Sequence, residues 1–188
     1  MAGVERNKFL AKNPENADLN QYWYSKATIE TIAAEVEEFG SDGTAFLSTP
    51  SIFFSLEADL RAKCKLFDLD TKWAKDPGFV RYDFAEPECL PEDAKGAFDM
   101  VVVDPPFITR EVWEQYATAA RLLLRPGGAG RVLCSTISEN ASSMEELLGA
   151  TPCKFKPSIP NLVYQYELFT NYHSERLNVP NPEIPSDE

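Results

Sequence analysis

Apolar residues along this chain fall into short continuous runs separated by amphipathic stretches, which is the pattern of an α/β protein. The clearest run, Met100 to Val103, is apolar and rich in β-branched residues, so it predicts a strand that is buried on both faces. Further strands are predicted at residues 43–49, 65–70, 79–84 and 131–136. Because helical patterns separate most of these runs, we expect a mostly parallel sheet with helices on both faces.

Period-3.6 patterns predict the helices between these strands. The first helix follows Ser25, which we interpret as its N-cap, and ends at Gly40. The others are predicted after Ser51, after Thr109 and from a capping box at Ser142.

The two ends of the chain differ from its centre. Residues Cys153–Lys156 and Val163–Tyr172 alternate as strands do and predict a C-terminal antiparallel hairpin. Residues 1–20 are polar, and we expect a mobile arm with little structure there. Residues 174–188 are rich in proline and acids and predict a disordered tail, which leaves one domain at 21–173.

The net charge of the sequence indicates which class of binding partner is favoured. The sequence holds 18 lysine and arginine residues against 30 acidic residues, a net charge of −12. Because nucleic acids are bound mainly through basic side chains, this balance disfavours a nucleic-acid partner and favours a basic protein.

Cysteine and histidine usage excludes the common metal sites. Four cysteines are scattered without a CxxC pair and there is one histidine, so no metal is predicted. The same usage indicates reduced thiols in the cytoplasm. No stretch is long and apolar enough for a membrane span, and we expect a monomer.

The central strand ends in a group that could orient an amine. Asp104 stands at its carboxyl end, and Pro105 and Pro106 stop the ladder there because they have no N–H to donate. The Asp104 carboxylate and the Pro105 carbonyl can accept hydrogen bonds from an amine, while Phe107 can pack on it. This sequence resembles the active-site motif of amino-group methyltransferases that use S-adenosylmethionine. The alternative is an ordinary core strand that ends in a proline turn.

Two other strand ends could bind a cofactor. No glycine-rich loop is present, and Ser48, Thr49, Pro50 and Ser51 make the first strand-to-helix turn instead. The second strand ends in acids, and either Asp68 or Asp70 could accept hydrogen bonds from ribose hydroxyls. An ordinary N-cap and solvated loop acids are the alternatives.

Aromatic segments complete the predicted pocket. Tyr82, Asp83 and Phe84 end the third strand and could hold an adenine between an aromatic and a polar group. Trp23, Tyr24 and Ser25 precede the first long helix, where they either cover the cofactor or form a hydrophobic staple.

Together these segments resemble the family of elongation factor 1-alpha lysine methyltransferases, which were once described as N6-adenine DNA methyltransferases. The resemblance rests on Gln21–Ser25, Ser48–Ser51, Asp68–Asp70, Tyr82–Phe84, Asp104–Phe107 and the closing Asn171-Tyr172. It implies a Rossmann-like seven-stranded methyltransferase sheet, S-adenosylmethionine as methyl donor, and a lysine of elongation factor 1-alpha as acceptor. Residue by residue, it places Trp23–Ser25, the Ser48–Ser51 turn and Asp68 or Asp70 at the cofactor, and Asp104–Phe107 at the amine. One departure is Phe107, where relatives often have tyrosine.

Two alternatives stay open at this point. An N6-adenine methyltransferase on DNA or RNA could stack a flipped adenine on Phe107, although the acidic balance disfavours it. A non-catalytic cofactor-binding subunit could activate another methyltransferase, although the intact motif at Asp104 argues against lost activity.

Overall fold

The computed structural model describes residues 7–185 and contains a seven-stranded sheet. The strands are β1 (Thr44–Leu47), β2 (Lys65–Asp68), β3 (Phe79–Arg81), β4 (Met100–Val103), β5 (Arg131–Thr136), β6 (Thr151–Pro152) and β7 (Glu167–Thr170). Their spatial order is β3-β2-β1-β4-β5-β7-β6. The pairs from β3 to β5 are parallel, and β7 lies antiparallel between β5 and β6. The predicted mostly parallel sheet with antiparallel C-terminal pairing is confirmed.

The last strands are shorter than predicted. Residues Cys153–Lys156 follow β6 instead of forming it, and β7 covers only the end of the predicted Val163–Tyr172. The physical reason is register: β5 ends at the residue that pairs with Glu167, so residues before Glu167 have no partner strand. Val163 and Tyr164 consequently lie on an exposed loop.

Helices cover both faces of the sheet, as predicted. Within residues 7–185 they are α1 (Lys8–Lys12), α2 (Lys26–Phe39), α3 (Pro50–Phe53), α4 (Ala58–Arg61), α5 (Arg110–Leu123) and α6 (Ala141–Leu148). Short 3-10 helices lie at Ala17–Leu19, Thr71–Trp73, Ser138–Asn140 and Arg176–Asn178. Side chains of α2 and α3 pack on one face of the sheet, and those of α5 and α6 pack on the other.

Two predicted caps are confirmed and two helix boundaries are corrected. Ser25 accepts the Thr28 N–H at the start of α2, and Thr109 caps α5. The helix predicted after Ser51 is instead divided into α3 and α4, because the chain turns after Phe53. The capping box at Ser142 is wrong, since the 3-10 helix ahead of α6 runs directly into it.

The arm before α2 is more ordered than the sequence predicted. α1 begins at a cap formed by Asn7, and Phe9 is buried against the rings of Trp23, Phe54 and Trp73. The helix has only five residues, which is too short for a periodic apolar pattern, and this explains why the pattern did not predict it. The part of the predicted arm at residues 1–6 lies outside the described residues.

The predicted tail also packs on the domain. Glu35 of α2 is fully buried and accepts hydrogen bonds from Tyr172 (2.9 Å), Ser174 (2.6 Å) and Arg176 (2.6 Å). Leu177 is buried beside them. Residues 174–185 are therefore held by α2, while residues 186–188 lie outside the described part of the chain.

None of the helices within residues 7–185 has the length and apolar character needed to cross a membrane. The same residues contain no cluster of three or more His, Cys, Asp or Glu side chains suited to a metal ion.

Candidate active site

A cleft opens at the carboxyl ends of β1 and β4, where the order of the sheet reverses. β1 pairs with β2 on one side and with β4 on the other, so the chain leaves these two strands in opposite directions. Open α/β sheets bind ligands at such switch points. The cleft is open to solvent, and its empty space of about 1070 Å³ includes part of that solvent.

Most of the segments singled out in the sequence meet in this cleft. Its lining comes from residues 18–23, 48–51, 68–70 and 104–107, together with Tyr82, Phe84, Tyr116, Ile159, Leu162 and Tyr166. Three of the predicted site residues, Tyr24, Ser25 and Asp83, are not among them.

A chain of hydroxyl groups holds Asp104 at the floor of the cleft. The Ser135 hydroxyl donates to the Asp104 carboxylate at 2.8 Å, and the Tyr24 hydroxyl lies 2.7 Å from Ser135 Oγ. Because the Ser135 proton is directed to Asp104, the Tyr24 hydroxyl donates to Ser135. Tyr24 and Ser135 are buried, so the Asp104 carboxylate is oriented from behind by groups that solvent does not reach.

Burial raises the pKa of Asp104 to about 6, although the hydroxyls of Ser135 and Tyr24 lower it. The pKa of Tyr24 is raised, first by burial and then by the negative charge of Asp104. At neutral pH the site therefore holds an ionised carboxylate and neutral hydroxyl donors.

The proline turn after β4 is held by the backbone and by the N-terminal segment. The Asp104 N–H donates to the Leu47 carbonyl at 3.1 Å and extends the β1–β4 ladder by one residue. The Asn20 side chain donates to the Pro106 carbonyl. Phe107 follows at the mouth, 52% exposed and edge-on to Phe84.

The turn after β1 has the backbone conformation of a glycine but carries a side chain. Ser48 has φ +58°, in the left-handed region that favours glycine. Its N–H donates to the Phe67 carbonyl at 2.9 Å, and its hydroxyl lies 2.7 Å from the Tyr116 hydroxyl. Local hydrogen bonds thus stabilise a glycine-like turn without glycine, which is why a glycine-motif search does not find it.

Two buried hydroxyls beside this turn have no partner within the described residues. They are Thr49 Oγ1 and the Tyr82 hydroxyl, and both residues line the cleft. A buried polar group without a hydrogen bond costs about 1–3 kcal/mol, so such groups point to a polar ligand. Pro50 and Ser51 line the same wall as Thr49.

The acids after β2 are in different environments. Asp68 is buried, which raises its pKa to about 6, and one oxygen accepts the Asp70 N–H at 2.8 Å. Both oxygens of Asp70 are engaged, one by Gln21 (3.0 Å) and the other by the Lys72 N–H (3.1 Å). The pKa of Asp70 is lowered by these hydrogen bonds despite partial burial. Asp68 therefore has more free hydrogen-bonding capacity in the cleft than Asp70.

The three predicted site residues outside the cleft have other contacts. Tyr24 lies behind Asp104, as described above. Ser25 caps α2 and donates to Glu183 at 2.5 Å. Asp83 accepts the Ala85 N–H at 3.0 Å in the turn after β3.

Sequence analysis missed several residues of the cleft and its support. Asn20, Gln21, Tyr116, Tyr166 and Ser135 were not predicted as site residues. Strand register could have located Ser135, because Val103 pairs with Cys134 and the next residue pair is Asp104 and Ser135.

Comparisons with known proteins match this chain to methyltransferases. A family model described as Probable N6-adenine methyltransferase matches residues 15–174. EEF1A lysine methyltransferase 1 of Mus musculus is 32% identical over 167 residues, covering 85% of this chain and 76% of its own length. A protein-lysine N-methyltransferase of Dictyostelium discoideum is 31% identical over 173 residues, covering 89% of this chain and 82% of its own.

Solved structures show a similar fold. The branched-chain polyamine synthase of Thermus thermophilus superposes with a TM-score of 0.63 at 14% identity, over 85% of this chain and 59% of that chain. TrmN of the same organism gives a TM-score of 0.51 at 18% identity, over 76% of this chain and 47% of that chain. This chain thus spans about half of TrmN, and at these identities the likeness concerns the fold alone.

Proposed function

The chain belongs to the probable N6-adenine methyltransferase family, and from this premise we propose that it methylates the ε-amine of a lysine in elongation factor 1-alpha. It is a methyltransferase, and S-adenosylmethionine is its methyl donor. The acceptor is inferred from relatives named EEF1A lysine methyltransferase 1, which are about one third identical to this chain.

The single observation that carries the proposal is the Asp104 carboxylate held by Ser135 beside two prolines. Lysine has a pKa of about 10.4 and must lose a proton before its nitrogen offers a lone pair. The Asp104 carboxylate and the Pro105 carbonyl accept hydrogen bonds from the amine and orient that lone pair toward the donor. The carboxylate also stabilises the positive charge that the nitrogen gains, and the Phe107 ring packs on it.

The cofactor wall fits S-adenosylmethionine, which supplies a methyl group on a sulfonium when bound. The unpartnered hydroxyls of Thr49 and Tyr82 provide polar contacts there. We assign the ribose contact to Asp68, because both Asp70 oxygens are engaged by other groups. Asp70 instead holds the N-terminal segment in place through Gln21.

The charge of the cleft supports a cationic acceptor. Four aspartates, Asp18, Asp68, Asp70 and Asp104, line it, whereas the described lining contains no lysine or arginine. One of the four, Asp70, is paired with Lys72 beside the cleft at 3.2 Å. A lysine is attracted to this cleft, and a phosphate backbone is repelled from it. This contrast disfavours DNA or RNA as substrate. A cytoplasmic location and a monomeric state remain predictions.

The proposal is tested by transfer of radiolabelled methyl groups to purified elongation factor 1-alpha and, in parallel, to DNA and RNA oligonucleotides. We expect label on the protein, and we expect Asp104→Ala to abolish it while S-adenosylhomocysteine binding is retained. Asp42→Ala, an exposed acid before β1, is the matched control and should keep full activity.

Other outcomes would contradict the proposal in distinct ways. Label on nucleic acid alone would indicate an N6-adenine methyltransferase. Label on neither, with cofactor bound, would favour an accessory subunit. Unchanged transfer by Asp104→Ala would refute the assigned amine site.

A further inference from the structure

Exposed apolar side chains lie in the lining of the cleft and in a loop next to that lining. Within residues 7–185, the large hydrophobic residues that are well exposed are Leu19, Leu69, Phe107, Val163, Tyr164 and Val179. The first three line the cleft, and Val163 and Tyr164 directly follow Leu162, which lines it too. Clustered exposed apolar residues mark interaction sites, whereas scattered ones are ordinary.

The two residues on the β6–β7 loop are the most exposed of this set. Val163 is 90% exposed and Tyr164 is 69% exposed. The loop around them is nevertheless held in place. Asn161 donates to Glu15 at 2.8 Å, and Gln165 donates to the Pro157 carbonyl at 2.9 Å.

The opposite side of the mouth is also fixed. Leu19 ends a 3-10 helix, and the next residue, Asn20, donates its side-chain N–H to the Pro106 carbonyl. Phe107 follows this carbonyl. We call Leu19, Phe107, Val163 and Tyr164 the apolar rim: the first two line the cleft, and the other two directly follow the lining residue Leu162.

We propose that this rim docks the polypeptide around the target lysine, through apolar side chains that flank that lysine in the substrate protein. The inference rests on the proposed function and adds to it the chemistry of the recognised segment. The cleft is lined by acidic residues and the rim is apolar. A substrate segment that complements both inserts its lysine into the cleft and places apolar side chains on the rim. A nucleic acid would require basic residues around the site, and the described lining of the cleft holds no lysine or arginine.

The experiment compares a rim variant with a matched surface variant. The rim variant is Val163→Ser combined with Tyr164→Ser, and the control is Val179→Ser, an equally apolar and 59% exposed residue that does not line the cleft. Methylation of folded elongation factor 1-alpha is measured over a range of substrate concentrations. We expect the rim variant to raise KM by about tenfold, from the lost apolar burial, with kcat and the Kd for S-adenosylhomocysteine within about twofold of the parent. Val179→Ser should leave all three unchanged.

A second variant separates docking from damage to the loop. Tyr164→Phe keeps the ring and should retain the parent KM. An unchanged KM in the rim variant, with an active parent, would overturn the docking role and leave the proposed function standing. An equal rise in KM for Val179→Ser would also overturn it. If the parent transfers no label to the protein, the proposed function fails and the docking role fails with it.

Discussion

Ser135→Ala is expected to move the pH dependence of catalysis by removing the hydroxyl that holds Asp104. A hydrogen bond to a charged group contributes about 1.5–3 kcal/mol, and about 1.4 kcal/mol corresponds to one pKa unit. The pKa of Asp104 is about 6 with the hydroxyls in place. Loss of the Ser135 hydroxyl is therefore expected to raise the pKa of Asp104 to about 7 or 8. The reason is that this hydrogen bond stabilises the ionised carboxylate more than the protonated acid.

The assay is kcat/KM for methyl transfer, measured from about pH 5.5 to about pH 9. Deprotonation of the lysine, with a pKa near 10.4, gives log kcat/KM a slope of one throughout this range. Ionisation of Asp104 adds a second unit of slope below its own pKa. The bend lies near pH 6 in the parent and is expected at about pH 7 or 8 in Ser135→Ala.

Two further variants separate electrostatics from packing. Ser135→Thr keeps a hydroxyl and should keep the bend near the parent value. Tyr24→Phe should shift the bend in the same direction by a smaller amount, because the Tyr24 hydroxyl bonds Ser135, which in turn donates to Asp104. A Ser135→Ala enzyme that is slower by the same factor at every pH would refute the reasoning.

Two predictions concern the free energy of unfolding, measured with urea. Asp104→Asn is expected to stabilise the protein at pH 7.5 by at most about 3 kcal/mol, since folding raises the pKa of this carboxyl to about 6 and ionisation then costs stability at neutral pH. The gain should shrink as the pH falls below about 6 and disappear by about pH 3, where both states are protonated, and an equal gain there would contradict the explanation. Glu35→Ala is expected to cost at least about 2 kcal/mol, because it leaves the hydroxyls of Tyr172 and Ser174 without their buried acceptor, whereas Arg176 keeps Glu38 at 3.0 Å. Ser174→Ala, which removes one donor, should cost only about 1 kcal/mol, and a similar small loss for Glu35→Ala would refute its role.

The sequence predicted the parts of the fold that depend on local signals. The apolar run Met100–Val103 and the caps at Ser25 and Thr109 are short-range patterns, and each lies where it was predicted. Ser135 was missed because its role depends on the register between strands that lie far apart in sequence. Phe9 was missed because a single buried aromatic residue has no periodicity.

The choice between the two acids after β2 shows the same limit. Their spacing placed both Asp68 and Asp70 near the cleft. The two acids differ in burial, since only Asp68 is buried, and in contacts, since Gln21 and Lys72 occupy the oxygens of Asp70. The Lys72 N–H lies only two residues from Asp70, whereas the Gln21 contact joins positions 49 residues apart, which no local pattern encodes.

The positions of β7 and of the C-terminal segment affect how the protein folds during synthesis. β7 is the last strand made, yet it lies between β5 and β6, so the nascent chain exposes an unpaired edge at β5 until residue 170 has left the ribosome. Glu35 of α2 is made early in synthesis, and it lacks its hydrogen bond from Arg176 until that residue has been made. During synthesis the exposed edge of β5 therefore favours aggregation until β7 is available to pair with it.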